Sequence, residues 1–177
     1  MGDYSFVGKS IPRIDGMDKV KGRAIYGVDV RLPRMLHGKI LRSPHPHAKI
    51  LHIDVSRAES LKGVKAILTA EDTPKIKFGF FKHKKPHFGD KLPLEGEKVR
   101  YIGDEISAVA AVDEDTAEEA LERIHVEYEP LPAVFDPGEA MKPGAPQIHE
   151  TCPNNIITIS HIKGGDIEKG FQEADVT

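Results

Sequence analysis

The sequence predicts an α+β domain organised around one mixed β-sheet. Three observations lead there. Ile106 to Val112 is an unbroken run of small and β-branched residues, as expected of a strand covered on both faces. A helical stripe follows it at once, with Ala117, Ala120, Leu121 and Ile124 repeating at i, i+3, i+4 and i+7. Residues 50–68 then repeat, loosely, the strand–helix–strand plan of residues 106–128, which suggests two similar halves of one sheet.

Residues 1–34 are rich in Gly, Pro and basic side chains and have weak periodicity, so they read as an extended arm. Ile11, Ile14, Val20, Ile25, Tyr26 and Val28 are scattered apolar anchors along it. They suit either a larger body beneath the arm or the surface of the chain's own domain.

Regular structure is expected from Leu36, with a strand near His37 to Arg42 closed by a Ser43-Pro44 turn. Leu51, Ile53 and Val55 alternate with Ile50, His52 and Asp54, giving a second strand with one mainly apolar face. Ser56 and Glu59 form a capping box for a short helix that turns Ala58 and Leu61 inward and ends at Gly63. Val64 to Leu68 returns as a strand.

Lys75 to Pro93 interleaves cationic side chains with Phe78, Phe80, Phe81 and Phe88 and reads as a long loop. Lys82, Lys84 and Lys85 beside Phe80 and Phe81 suit a docking surface for a second subunit or an anionic group. The alternative is a solvated loop whose phenylalanines tuck back onto the core.

In the second half, Thr116 and Glu119 make another capping box, and Val126 and Tyr128 alternate with Glu127 and Glu129 in a strand with one wet face. Strand, helix and strand together read as a right-handed βαβ crossover. Pro130, Pro132 and Pro137 punctuate the exit, and Asp136 with Glu139 marks a short helix with proline at its first position. A loop over 145–155, a strand over 156–162 and a last helix capped by Asp166, with Ile167, Phe171 and Ala174 on one stripe, complete the chain. The expected divisions are an arm at 1–34, the α+β domain at 35–142, and a linker, strand and helix at 143–177.

Composition fits one substantial core: 177 residues, 39% hydrophobic, 30% charged, net charge −3. No apolar run approaches the roughly 20 residues needed to cross a bilayer, and Met1 to Ser10 lacks the apolar centre of a signal peptide, so the expectation is no membrane and a cytoplasmic home. The acidic balance argues against nucleic acid. Cys152 is the only cysteine, which excludes an internal disulfide and an iron–sulfur cluster built from this chain alone.

Candidate chemistry is thin. His45 and His47 are two apart, one face of a strand, but no third metal ligand is evident and Pro44 and Pro46 dictate an extended turn. His83 and His87 lie in the basic loop without a carboxylate partner. Gly164-Gly165-Asp166 opens a helix in a way that suits either a phosphate or plain connection geometry. Asp104 and Glu105 are adjacent, so in extended chain they point to opposite faces and cannot pair as acid and base. Asp113, Glu114 and Asp115 serve the N-terminus of the helix after them. Ser43 and Cys152 both precede proline, outside any nucleophile turn.

The segment VRYIGDEISAVAAVDEDTAEEAL resembles one shared by large subunits of the xanthine dehydrogenase and aldehyde oxidase family, molybdenum hydroxylases that include 4-hydroxybenzoyl-CoA reductase. The stretches VGKSIPRIDGMDKVKGRAIYGVDV, LHGKILRSPHPHAKILHIDVSRAESLKGVKAILTAED and IHVEYEPLPAV are similar to that family in its order and spacing, so the resemblance covers nearly the whole chain. It implies an α/β hammerhead domain, a mixed sheet with helices on one side, that helps enclose an active site and meets neighbouring subunits. It also implies a molybdenum–pterin cofactor, iron–sulfur clusters and usually a flavin, all held by a molybdopterin-binding domain or subunit, an iron–sulfur subunit and a flavin subunit. The family's GGGFG loop and catalytic glutamate have no counterpart here, so the resemblance carries over no catalytic, cofactor-binding or metal position, and the chain alone is expected to be inactive. Asp104-Glu105 replaces a Gln-Pro common after the glycine of VRYIG, which leans toward the hydroxybenzoyl-CoA reductase branch. Ala174 to Thr177 resembles the junction where family members run on into their cofactor domains, so a cut or a subunit boundary is expected there. A different class, a free-standing interaction or scaffold protein reusing the fold, is the alternative.

Overall fold

The computed structural model describes residues 4–79 and 89–176. The chain separates into two units, Met1–Met35 and Leu36–Thr177. In the first, none of the described residues is buried. Its helix α1 (Gly16–Val20) is held by charge instead: Arg13 and Lys19 both bond Asp15, each at 2.8 Å. Ile11, Ile14, Val20, Ile25, Tyr26 and Val28 are all exposed.

In the second unit, six strands alternate with short helices: β1 (His37–Arg42), β2 (Ala48–Asp54), α2 (Ser56–Glu59), β3 (Val64–Leu68), β4 (Lys98–Val99), β5 (Glu105–Ala111), α3 (Glu114–Arg123) and β6 (His125–Pro130). Helices α4 (Pro137–Ala140) and α5 (Ile167–Gln172) follow. The strands form two three-stranded sheets, ordered β1-β5-β3 and β4-β2-β6, and every ladder is antiparallel.

The α+β class therefore stands, but the single mixed sheet and the right-handed βαβ crossover are corrected. The segment β5–α3–β6 begins in one sheet and ends in the other, and β2–α2–β3 makes the same change in the opposite direction. Alternation with period two fixes which face of a strand is apolar; it carries no information about which neighbour takes the ladder. β5 is central in its sheet and has Ile106, Ser107, Val109 and Ala111 buried, so the reading of Ile106 to Val112 as a doubly covered strand holds up to Ala111.

Two clusters make up the core. Ala58, Val109, Ala120 and Ile124 join the helices to the β1-β5-β3 sheet, and Ala48, Ile50, Val99 and Ile106 lie beneath the other. Ile53 and Val126, cross-strand partners in β2 and β6, pack into both. Ala117 and Ala120 are fully buried, and their small side chains let α3 lie close against its neighbours.

Helix caps differ from expectation by a few residues. Asp113, not Thr116, caps α3: its Oδ1 accepts the Thr116 amide at 2.7 Å, and the helix begins at Glu114. Glu114 and Glu118 reach back to Lys39 of β1, at 2.5 and 2.8 Å. No side chain caps α2 at its N-cap Val55; Asp54 Oδ1 takes the Ser56 amide at 2.9 Å, so the Ser56–Glu59 box is replaced by a bond from one position upstream. Asp136 and Asp166 cap α4 and α5 as read from sequence. The strand expected over 156–162 is absent: these residues join no ladder, and Ile157, Ile159 and Ile162 are exposed.

Candidate functional site

The described residues gather their buried charge at the start of β5. Gly103, with φ +95°, turns the chain so that its amide bonds the Ser43 carbonyl at 2.8 Å, while Ser43 N–H bonds the Asp104 carbonyl at 2.9 Å. That turn sinks Asp104 until 1% of it is exposed. Asp104 Oδ2 accepts the Arg100 amide at 2.9 Å and its Oδ1 meets the Lys91 ammonium. Lys91 is held in turn because its backbone pairs with Phe78 in both directions, at 2.8 and 3.3 Å.

The same ammonium lies 2.8 Å from Glu105 Oε2, and Arg42 bonds Glu105 Oε1 at 2.6 Å. Asp104 and Glu105 thus converge on one cation, which corrects the expectation that adjacency keeps them apart: Asp104 precedes the strand in a turn, so strand alternation does not apply to it. Partial burial would raise the Glu105 pKa, but the Lys91 and Arg42 bonds outweigh it and hold the carboxyl at about 2. Burial also works against the charge on Lys91, and its carboxylate partners reverse that and raise its pKa.

A second group adjoins the first. Glu95, 4% exposed, accepts the Leu92 amide at 3.3 Å and lies 3.6 Å from Arg100, and burial raises its pKa. Glu150 is paired with Lys98 and lies 3.5 Å from Arg100; the Lys98 bond holds it at about 2. His149 lies 3.6 Å from Asp90, and burial lowers its pKa. Asp90, Lys91, Glu95, Arg100, Tyr101, Asp104 and His149 line a cavity of about 170 Å³.

Asp104, Glu105, Glu95 and Glu150 each face a cation or an amide, and Asp104 is sealed from solvent. The arrangement ties Lys91 and the 147–150 segment to the strands. Lys91, Glu95, Arg100, His149 and Glu150 were not singled out from sequence, because charged residues in loops carry no periodicity; the one available signal was the density of charge in Lys98 to Glu105 around an otherwise apolar strand.

His45 and His47 do not share a ligand. His47 Nδ1 lies 2.7 Å from the Pro132 carbonyl, its Nε2 is buried without a partner, and the His45 ring stands edge-on to Tyr128 at 4.7 Å. Gly165 takes φ +70° ahead of the Asp166 cap of a six-residue helix, so connection geometry accounts for that turn. Lys82, Lys84, Lys85, Phe80, Phe81, His83 and His87 lie outside the described residues. Among the described residues no group of three His, Cys, Asp or Glu side chains is placed to hold a metal. The buried carboxylates Asp104 and Glu95 are already paired with Lys91 and Arg100, so among the described residues they do not fit a molybdenum or pterin site.

Residues 21–132 match the family model for the aldehyde oxidase and xanthine dehydrogenase a/b hammerhead domain. The chain belongs to that family. The hammerhead chain is 42% identical over 164 residues to a probable xanthine dehydrogenase subunit from Bacillus subtilis, covering 92% of this chain and 21% of that one. It is 35% identical to the nicotinate dehydrogenase large molybdopterin subunit of Eubacterium barkeri, covering 98% and 39%. Among solved structures, the aldehyde oxidoreductase of Desulfovibrio gigas superposes with a TM-score of 0.77 at 32% identity, covering 93% of this hammerhead chain and 19% of that protein. The hammerhead chain thus spans between a fifth and two fifths of the length of these relatives.

Proposed function

We propose that this hammerhead chain serves a molybdenum hydroxylase as the part that helps enclose the active site, and that turnover depends on a molybdopterin-binding polypeptide together with iron–sulfur and flavin partners. One observation carries the reading: the family match coincides with a fold whose buried carboxylates, Asp104 and Glu95, are held in ion pairs, so the chain supplies architecture and its companions supply the redox centre. The free-standing scaffold is not favoured, since relatives at this similarity are subunits of oxidoreductases. The pairing of Asp104 and Glu105 with Lys91 gives that dipeptide a structural task, so it no longer supports the hydroxybenzoyl-CoA reductase branch.

The test is to purify the chain alone and the enzyme assembled in its host, and to measure molybdenum, iron and flavin in each together with oxidation of xanthine, nicotinate and aldehydes. The expected result is metal and turnover only in the assembly. Turnover by the lone chain, or stoichiometric pterin retained by it, would end the proposal. A finer reading concerns the Lys82, Lys84 and Lys85 cluster with Phe80 and Phe81, proposed from sequence as a partner or anion contact. Charge reversal at the three lysines should weaken substrate or partner affinity at low salt; unchanged affinity removes that role.

A further inference from the structure

Residues 140–155 are held to the rest of their unit by charge, with little burial. Cys152 alone among them is buried; the others are exposed or half-buried. Within, the segment is well tied. Asn155 Nδ2 donates to the Ala140 and Pro146 carbonyls, each at 2.9 Å, and its Oδ1 accepts the Ile148 amide at 2.9 Å, while Gln147 Nε2 donates to the His149 and Cys152 carbonyls at 3.0 and 3.3 Å. Its fastening to Lys98, Arg100 and Asp90 is confined to three consecutive residues. Lys98 donates to the Ile148 carbonyl at 3.0 Å and pairs with Glu150, Arg100 lies 3.5 Å from Glu150, and Asp90 lies 3.6 Å from His149 Nδ1. A piece of chain that is ordered within and fastened at one short stretch opens as a unit when that stretch lets go.

His149 sits at the fastening. Burial lowers its pKa from 6.5, Arg100 and Lys98 add to that, and Asp90 and Glu150 oppose it. A proton taken up there puts a third positive charge beside Lys98 and Arg100 in a half-buried position, and only opening lets the imidazolium reach water. The other groups around it are already engaged. In the 170 Å³ cavity, Glu95 faces Arg100, Asp104 meets Lys91, and the Lys91 ammonium stands over the Tyr101 ring. In a second cavity of about 350 Å³, which His149 lines with Phe135 and Cys152, Asp136 accepts the Glu139 amide.

We infer that residues 140–155 form an acid-released strap: protonation of His149 loosens them from Lys98 and Arg100 and opens the cavity walled by Cys152, while the two sheets stay folded. The sign follows from linkage. A histidine whose pKa is lower in the fastened state takes stability away from that state as pH falls below 6.5. Glu105 and Glu150, held at about 2 by their cations, stay ionised through this range, so the ties of β5 persist. Glu95 works the other way: its pKa is raised from 4.5, and a proton there removes a carboxylate 3.6 Å from Arg100 and leaves that guanidinium to Glu150.

Cys152, the chain's single thiol and 4% exposed, reports the opening. The full chain is treated with dithiodipyridine between pH 7.5 and 5.5, and each rate is divided by that of the same chain in concentrated urea, which cancels the thiol's own pH dependence. The ratio should rise about three-fold or more as pH falls, with far-UV circular dichroism unchanged. His149→Gln should flatten the profile, and Asp90→Asn, which removes the carboxylate 3.6 Å from the ring, should steepen it. Glu95→Gln should keep the rise. A flat wild-type profile, a rise that survives His149→Gln, or a rise that comes with loss of circular dichroism overturns the strap. If His149→Gln does not fold, Asp90→Asn decides: a slope no steeper than wild type overturns it as well.

Discussion

Gly96 and Ala70 approach so closely that a Cβ added to the glycine would lie 2.6 Å from the Ala70 Cβ. Ala70 is buried, so it has little room to withdraw. Gly96→Ala is therefore expected to destabilise the fold by about 1–3 kcal/mol, the usual cost of overpacking. Urea unfolding followed by circular dichroism measures it, and a midpoint equal to wild type would show that the backbone yields there.

Lys91→Met should cost more. It strands the Asp104 carboxylate, 1% exposed, with only the Arg100 amide, and removes one of the two cations on Glu105. A loss on the order of 3 kcal/mol is expected, as for other broken buried pairs. Lys91→Met with Asp104→Leu should be less damaging than the sum of the two single changes, because the second removes the orphaned charge that the first creates.

Stability should fall in acid. Glu105 and Glu150 titrate at about 2 in the folded chain against 4.5 for a free glutamate, so the unfolded chain binds more protons between those values and stability drains away as pH falls from 4.5 toward 2. His149 acts in the same direction from a higher pH: its pKa lies below 6.5, so protonation below 6.5 favours the unfolded chain. Glu95 opposes both, since its raised pKa makes the folded chain the better proton acceptor just above 4.5. Urea midpoints at pH 7, 5 and 3 should decline, most steeply over the last interval. In an Arg42→Gln, Lys98→Met double variant that decline should flatten.

The cap of α3 is separable from its neighbours. Asp113→Ala removes the acceptor for the Thr116 amide and should cost about 1 kcal/mol, whereas Thr116→Ala leaves that bond in place. Equal losses in thermal unfolding would restore Thr116 as the cap.

What could be read from sequence follows from what periodicity encodes. Ile106 to Ala111 announced a covered strand and Ala117, Ala120 and Ile124 a packed helix, because burial leaves a pattern within a single element. The cap moved from Thr116 to Asp113 because both are good cap residues and spacing alone does not rank them. The partition into two sheets was invisible: Ile53 and Val126 alternate like any strand residues, and only the tertiary ladder shows that they join both clusters. The charged network escaped for a similar reason, since Lys91, Asp104 and Glu150 are brought together from turns and loops far apart in the chain.

The exchange of strands between sheets has a consequence for synthesis on the ribosome. The middle strand of one sheet is Glu105–Ala111, and the other sheet gains its outer strand only with His125–Pro130. A nascent chain ending near residue 100 holds β1 and β3 with nothing between them, so neither early strand can begin its ladder. The emerging polypeptide must keep its valines and isoleucines away from other chains until Glu105–Ala111 and His125–Pro130 have been made, and its dependence on chaperones should end sharply once β6 clears the exit tunnel.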